Sequence, residues 1–394
     1  MSGHPARPVA RPVQLSAARA RALRLRALRL GGGLDTDADR GALPAPGLAD
    51  AVRDLVTWVG AMQGQDGRGL LWSLGVRLPG STEPALRAAL ERREVLRTWP
   101  MRGTLHLVPS QDARWMLRLM AHRTARAELT RRGQLGLTEA ETDRAVDVLG
   151  QALAGGVRLT RAQCLERLVA AGITVAGQAG YHLLAITCRR AVACLAPDVD
   201  GEQTFVLLDD WVPGHRDLDP EEALAEIALR FVRSHGPVGR RDLAGWTGLT
   251  LGDVDRALAA QPDVLVPVQV EGVDAVAWRP ALEADGVLEP DGRWLLPGFD
   301  EFLLGYKDRS LVLDHGHAPA IVPGGNGVFR STMVVGGRVV GTWRRLPGRA
   351  GGVVVRLEPF AGLPAGDRAG FERAAERYGA YLAVPGVDVR WDGA

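Results

Sequence analysis

The sequence predicts an α+β chain of three tandem winged-helix units followed by a C-terminal β-rich, barrel-like module. Three observations carry that expectation. With 394 residues, 46% of them hydrophobic and 24% charged, the chain is globular and too long for one ordinary core. A pattern of helix, helix–turn–helix and two-stranded wing recurs three times, at intervals of roughly 100 residues. From Arg293 onward the pattern changes to short strands and glycine-rich turns.

The elements follow in order. Residues 1–13, rich in Pro and Arg, read as a flexible basic arm. Residues 15–30 read as a basic amphipathic helix, and 31–47 as a Gly/Asp/Pro loop. Two short helices, 49–61 and 68–77, are separated by Met62-Gln63-Gly64-Gln65-Asp66-Gly67. Thr82-Glu83-Pro84 opens a helix through Arg93. Residues 94–106 then read as extended, with Arg102, Thr104 and His106 alternating onto one face. These elements make a first unit over 14–110.

The second unit, 111–215, holds a helix over 138–154 and a second opened by a Thr160/Gln163 capping box. A third helix (181–195) and a strand (203–211) complete it. The third unit, 216–292, is the clearest. It has helices over 220–234, 239–246 and 251–261, the last capped by Thr250, then a hairpin (264–270, 273–278) around Glu271-Gly272. In the module from 293 to 394, strands over 331–335, 338–343 and 353–357 precede a closing helix over 371–382, with Gly336-Gly337 as a hairpin turn.

A net charge of +2 conceals an uneven distribution. Residues 1–34 carry seven arginines and no acid; residues 86–132 carry eleven arginines against four acids. The two stretches hold +14, leaving −12 for the rest of the chain. A basic surface of that kind attracts backbone phosphates, although a solvated helix face in an arginine-rich chain has the same composition.

Several chemistries are disfavoured. Lys307 is the only lysine, so beyond it and the N-terminal amine no group offers a Schiff base. Cys164, Cys188 and Cys194 contain no Cys-x-x-Cys pair and read as core thiols of a reducing compartment. Neither a Walker loop nor a Gly-x-Ser-x-Gly elbow occurs. His315-Gly316-His317 is the only close histidine pair and lacks an obvious third ligand, so neither metal nor cofactor is expected. The absence of an apolar run of about 18 residues speaks against a membrane span. Together these features suggest a soluble, cytoplasmic monomer. Taken alone, the helix–wing order fits a DNA-binding regulator or lesion sensor as well as an enzyme.

Three longer motifs narrow the choice. They are Arg97-Thr98-Trp99-Pro100-Met101-Arg102-Gly103-Thr104-Leu105-His106-Leu107-Val108, Pro297-Gly298-Phe299-Asp300-Glu301-Phe302-Leu303-Leu304-Gly305-Tyr306-Lys307-Asp308-Arg309 and Gly341-Thr342-Trp343-Arg344-Arg345. With them the chain, from about residue 50 to its end, resembles the bacterial winged-helix DNA glycosylases of the AlkZ and YcaQ-like branches. The resemblance implies a monofunctional glycosylase acting on double-stranded DNA that carries alkylated purines or interstrand crosslinks, in some members as self-resistance to a genotoxic natural product. It also implies that Gln63 and Gln65 are catalytic. Gln65, where the YcaQ-like branch has Asp, points to the AlkZ-like branch. Gly64 departs from the aliphatic residue that the family carries between the glutamines.

The chemistry needs no more than two amides. A purine alkylated at N7 or N3 is already cationic, so its glycosidic bond is weakened, and what remains is to hold a water and stabilise an oxocarbenium-like sugar. Arg102, Thr104, His106, His315 and His317 are the expected DNA contacts, the loop 314–326 being a candidate minor-groove probe. Asp66 reads as a helix cap and only secondarily as a base, and Asp300 and Glu301 as packing residues.

Overall fold

The structure, a computed structural model, describes residues 12–30, 45–284 and 292–392. Residues 1–11 of the expected basic arm, and 31–44 of the expected loop, lie outside that range. Val13 belongs to a strand, β1 (Val13–Leu15), so the arm ends earlier than its composition suggests. α1 (Ala17–Ala27) starts at the Ser16 cap and is not amphipathic, because Ala22 through Leu25 are all buried. Arg24 is tolerated inside because its Nε donates to the Pro237 carbonyl at 2.9 Å and its guanidinium lies 4.0 Å over the Tyr306 ring.

Three blocks follow, each of three helices and a hairpin. The first contains α2 (Ala45–Val59), β2 (Met62–Gln63), α3 (Gly67–Gly75), α4 (Glu83–Leu90), β3 (Val95–Met101) and β4 (Thr104–Pro109). α5 (Ala113–Gln134) leads to the second: α6 (Glu139–Leu153), β5 (Leu159–Thr160), α7 (Arg161–Ala170), α8 (Ala179–Arg189), β6 (Ala193–Val199) and β7 (Glu202–Leu207). After α9 (Leu208–Trp211) comes the third: α10 (Pro220–His235), α11 (Arg240–Thr247), α12 (Leu251–Ala259), β8 (Leu265–Val270) and β9 (Val273–Trp278). Thr138, Thr160, Asp219 and Thr250 open their helices with reciprocal capping boxes. Each cap contributes about 1 kcal/mol.

Two repeated details tie the blocks together. All three hairpins turn on an X-Gly pair with both φ angles positive: Arg102-Gly103 (54° and 68°), Asp200-Gly201 (52° and 83°) and Glu271-Gly272 (48° and 78°). Such two-residue turns match the right-handed twist of the strands, and glycine at the second position lowers the steric cost. In each block, too, a short segment between the first two helices pairs with the second hairpin strand: β2 with β4, β5 with β7, and Val238 with Val276. Gln63 occupies that segment in the first block.

The first two hairpins merge into one sheet of order β2-β4-β3-β6-β7-β5, while β1 extends the third as β1-β8-β9. After α13 (Arg279–Glu283) come β10 (Arg293–Leu296), α14 (Glu301–Leu304), α15 (Ala318–Ile321), β11 (Thr332–Val335), β12 (Arg338–Pro347), β13 (Val353–Pro359), α16 (Ala365–Leu382) and β14 (Val387–Trp391). The expected barrel does not form. These strands make an open five-stranded sheet in sequential order, in which α16 crosses over to bring β14 parallel to β13.

Other boundaries differ for identifiable reasons. The extended run 94–106 is a hairpin broken at Arg102-Gly103. The expected helix 181–195 stops at Arg189, where Ala191 adopts a left-handed φ and the chain turns into β6. Residues 208–211 are helical instead of continuing the strand. α5 was not expected, because six arginines interrupt its apolar periodicity.

A shared core of Trp115, Phe231, Trp246, Leu296 and Phe302 joins the blocks to the C-terminal module. Burial of each large side chain contributes about 1.5–3 kcal/mol. Cys164, Cys188 and Cys194 are buried and free, and burial raises the pKa of each thiol. Among the described residues no helix is long and apolar enough to cross a membrane.

Candidate active site

The glutamine pair sits at the edge of the fused sheet. Gln63 is paired with His106 in the β2–β4 register, and the Gly64 N–H donates to the Leu105 carbonyl at 2.8 Å. Gln63 is buried and Gln65 exposed; the Gln63 Nε2 donates to the Gln65 Oε1 at 2.9 Å. The Gln63 Oε1 is buried with no hydrogen-bond donor. A buried acceptor left in that condition costs about 1–3 kcal/mol unless something donates to it.

Gly64 is buried with an ordinary φ, and a Cβ built on it meets nothing nearer than the Leu107 nitrogen at 3.4 Å. The backbone between the glutamines is therefore fixed by the ladder and not loosened by the glycine. Gly64→Ala is expected to fold normally and keep base-release activity within about threefold; a larger loss in a single-turnover assay would mean that this position needs the extra space.

Sequence reasoning assigned Glu301 to packing, but the residue is also part of this site. Its Oε1 accepts from the Gln63 backbone N–H at 3.1 Å, its Oε2 accepts from the Trp246 Nε1 at 2.9 Å, and the His235 Nε2 is 3.5 Å away. Burial opposes its charge, yet His235, Trp246 and His106 together hold its pKa below the ordinary glutamate range. A buried carboxylate thus lies directly behind Gln63. The clue was two adjacent acids opening a short apolar run, a poor place for charge unless it has partners.

Asp300 fixes the same segment from the other side. Its two oxygens accept from the Arg77 Nη1 and Nη2, both at 2.8 Å, the Ser73 hydroxyl donates to it, and it caps α14. Asp66 caps α3, accepting from the Arg68 N–H at 3.1 Å, as the sequence suggested.

Arg102 stands in the hairpin turn and not on a strand face, and it is exposed. His106 is fully buried; its Nδ1 donates to the Thr104 carbonyl at 2.9 Å, and Arg102 donates to its Nε2 at 3.4 Å. That arrangement suits the neutral ring, since protonation would set two donors face to face. Burial and Arg102 lower its pKa from 6.5 to about 4. Because the unfolded chain takes up this proton at higher pH than the folded one, stability is highest above pH 6.5 and falls as the pH drops towards 4. The loss is about 3 kcal/mol. His182, whose pKa burial and nearby arginines also lower to about 4, adds to the same window. His106→Asn is expected to flatten the dependence of Tm on pH between 6.5 and 4.5, a range above that in which Asp300 and Glu301 titrate.

His315 and His317 lie on a separate turn capped by Asp314. His317 stacks on Phe360 at 4.1 Å, and His315 lines a cleft of about 730 Å³ with Lys307, Arg309 and Phe329. None of their hydrogen bonds or ring contacts reaches the glutamines, and the loop 314–326 contains no strand. Among the described residues no group of three or more His, Cys, Asp or Glu is placed to hold a metal ion. The basic surface is smaller than the charge count suggested, since Arg97, Arg114 and Arg118 pair with Asp198, Asp209 and Asp217.

Comparison with known proteins agrees with this architecture. A family model described as DNA glycosylase AlkZ-like matches residues 56–381. The interstrand DNA cross-link repair glycosylase of Streptomyces sahachiroi is 30% identical over 288 residues, which cover 66% of this chain and 75% of the relative. The solved structure of Streptomyces sahachiroi DNA glycosylase AlkZ superposes with a TM-score of 0.78 at 24% identity, covering 96% of this chain and 100% of that one; at this identity the likeness speaks to the fold. The family match extends from α2 into α16 and includes both glutamines, Glu301 and the C-terminal strands β10 to β13, and the chain belongs to the AlkZ-like DNA glycosylase family.

Proposed function

We propose that the protein is a monofunctional glycosylase that hydrolyses the N-glycosidic bond of cationic N7- or N3-alkylated purines in duplex DNA, with Gln63 and Gln65 as the catalytic pair. The observation that carries this reading is the buried, donor-free Gln63 Oε1 beside an exposed partner amide. A carbonyl oxygen in that state is suited to accept a hydrogen bond from an attacking water. Gln65 fixes the Gln63 amide so that its oxygen keeps one direction. The Glu301 carboxylate behind them supplies fixed negative charge where positive charge develops on the sugar. With no general acid in the scheme, a neutral normal base keeps its bond, and selectivity for cationic purines follows.

We read the three helix–hairpin blocks as winged helices and Arg102, at the tip of the first hairpin, as a phosphate contact. Thr104 lies beside it, and His106 supports it from beneath instead of touching DNA. His315 and His317 are proposed to meet the duplex from the C-terminal module. The enzyme would work as a cytoplasmic monomer without metal or cofactor.

The relative's name specifies interstrand crosslinks, and we extend that substrate to this chain. The test is a duplex carrying an N7–N7 guanine crosslink made by a nitrogen mustard, followed on a denaturing gel. Unhooking to single strands, with no protein–DNA adduct on borohydride treatment, is the expected result. An intact crosslink would restrict the enzyme to monoadducts, and a trapped adduct would point to amine chemistry at Lys307 or the N-terminus.

A further inference from the structure

Phe299 stands out among the residues with left-handed backbone. Most of the other non-glycine positions with positive φ open hairpin turns or end helices, as Arg102, Asp200, Glu271, Ala191 and Ala383 do. Phe299, at φ 62°, does neither, and it is the only aromatic residue in that region among those described. Glycine is what such a turn position ordinarily takes, and a bulky side chain there is strained. Strain of this kind persists where the side chain serves a purpose.

Its neighbours locate that purpose. Glu301, two residues on, accepts from the Gln63 N–H, while the Gly298 carbonyl lies against Gly69 beside the Asp66 carboxylate. Phe299 is thus held between a contact to α3 and a contact to the segment that carries both glutamines. Asp300 and Glu301 point inward and are buried, whereas Phe299 is half-buried. Its ring centroid lies 6.1 Å from that of Phe329, itself half-buried and covered by the Arg309 guanidinium at 4.9 Å. Gly298 permits this approach, because a Cβ there would sit 2.3 Å from the Phe329 carbonyl oxygen. Phe329 in turn lines the cleft of about 730 Å³ shared with Lys307, Arg309 and His315.

We infer that Phe299 and Phe329, packed against each other at 57°, form an aromatic wall on the segment that leads into Glu301, against which the planar group carried by a bulky alkylpurine lies, and that Phe299 sets a preference for aromatic adducts over methyl adducts. The inference rests on the alkylpurine reading above and adds a site for the part of the lesion that is not DNA. Aromatic faces suit such groups because stacking tolerates varied ring chemistry. Arg309 and Lys307 line the adjoining cleft and put positive charge beside it.

The test measures binding and base release separately. Duplexes carrying a single 2′-fluoro-stabilised N7-benzylguanine, an N7-methylguanine or no lesion are titrated with the full chain and with Phe299→Gly, Phe299→Leu and Phe299→Tyr. Phe299→Gly relieves the backbone and is expected to fold. It should lose about tenfold of the preference for the benzyl duplex while binding the methyl and undamaged duplexes as wild type does. Phe299→Tyr should retain the preference, and Phe299→Leu should lose it. Equal loss on all duplexes, an unchanged preference in Phe299→Gly, or leucine performing as well as tyrosine would overturn the aromatic contact. Base release from unstabilised N7-methylguanine by wild type reports on the glycosylase chemistry. Its failure would count against that chemistry alone, since the binding preference decides the aromatic contact.

Discussion

Asp300→Ala is expected to lower unfolding stability by about 3–5 kcal/mol in urea titration. Asp300 and Arg77 have side chains that are 3% and 0% exposed and share two parallel hydrogen bonds of 2.8 Å. The pair links the turn just after α3, the helix that follows the glutamine segment, to the start of α14, which carries Glu301. Burial works against the Asp300 charge, but Arg77, Ser73 and the Phe302 N–H outweigh it and hold its pKa below the ordinary aspartate range. Removing the carboxylate leaves the guanidinium buried with only the Leu28 and Ser73 oxygens to bond. An uncompensated charge in that setting is the large term, not the lost attraction. Arg77→Met combined with Asp300→Leu should therefore regain most of the stability, because two apolar groups of similar volume leave no buried charge. A loss below about 1 kcal/mol in Asp300→Ala would show that water reaches the pair.

Gln63→Ala is expected to slow single-turnover base release by about 10²–10³, the usual effect of deleting one preorganised polar group at a reacting centre. Stability should change little, since truncation removes the unsatisfied buried oxygen along with the side chain's contacts. Gln65→Ala should also lose rate, because the Gln63 amide is then free to turn its oxygen away. If the amides act as one unit, the double variant will be hardly slower than Gln63→Ala. Additive losses would instead mean that each glutamine works independently.

Much of this organisation is legible in the residues. Thr160/Gln163 and Thr250 mark real helix starts, and Glu271-Gly272 a real hairpin turn, because caps and turns depend on local chemistry. Arg102-Gly103 uses the same turn, but its first residue is long and charged and so read as part of a strand. α5 is not legible locally, because its arginines find partners elsewhere in the chain, such as Asp209 and Asp217, which no local pattern reveals. Long-range pairing likewise decided that the C-terminal strands stay open instead of closing. At the site, the expectation for Gln63 and Gln65 rests on the family resemblance and not on any local pattern. Glu301, His235 and Trp246 gather from three distant segments, and no spacing rule connects them.

In the proposed mechanism two amides, backed by a buried carboxylate, release a cationic purine. The most direct measurement follows free base from a duplex containing one N7-methylguanine, using wild type, Gln63→Ala and Gln65→Ala at saturating protein. Wild type should yield free N7-methylguanine and an alkali-labile abasic site, and Gln63→Ala should release the base orders of magnitude more slowly while still binding the duplex. Full-rate release by both variants, or no release by a wild-type protein that binds the duplex tightly, would contradict this mechanism.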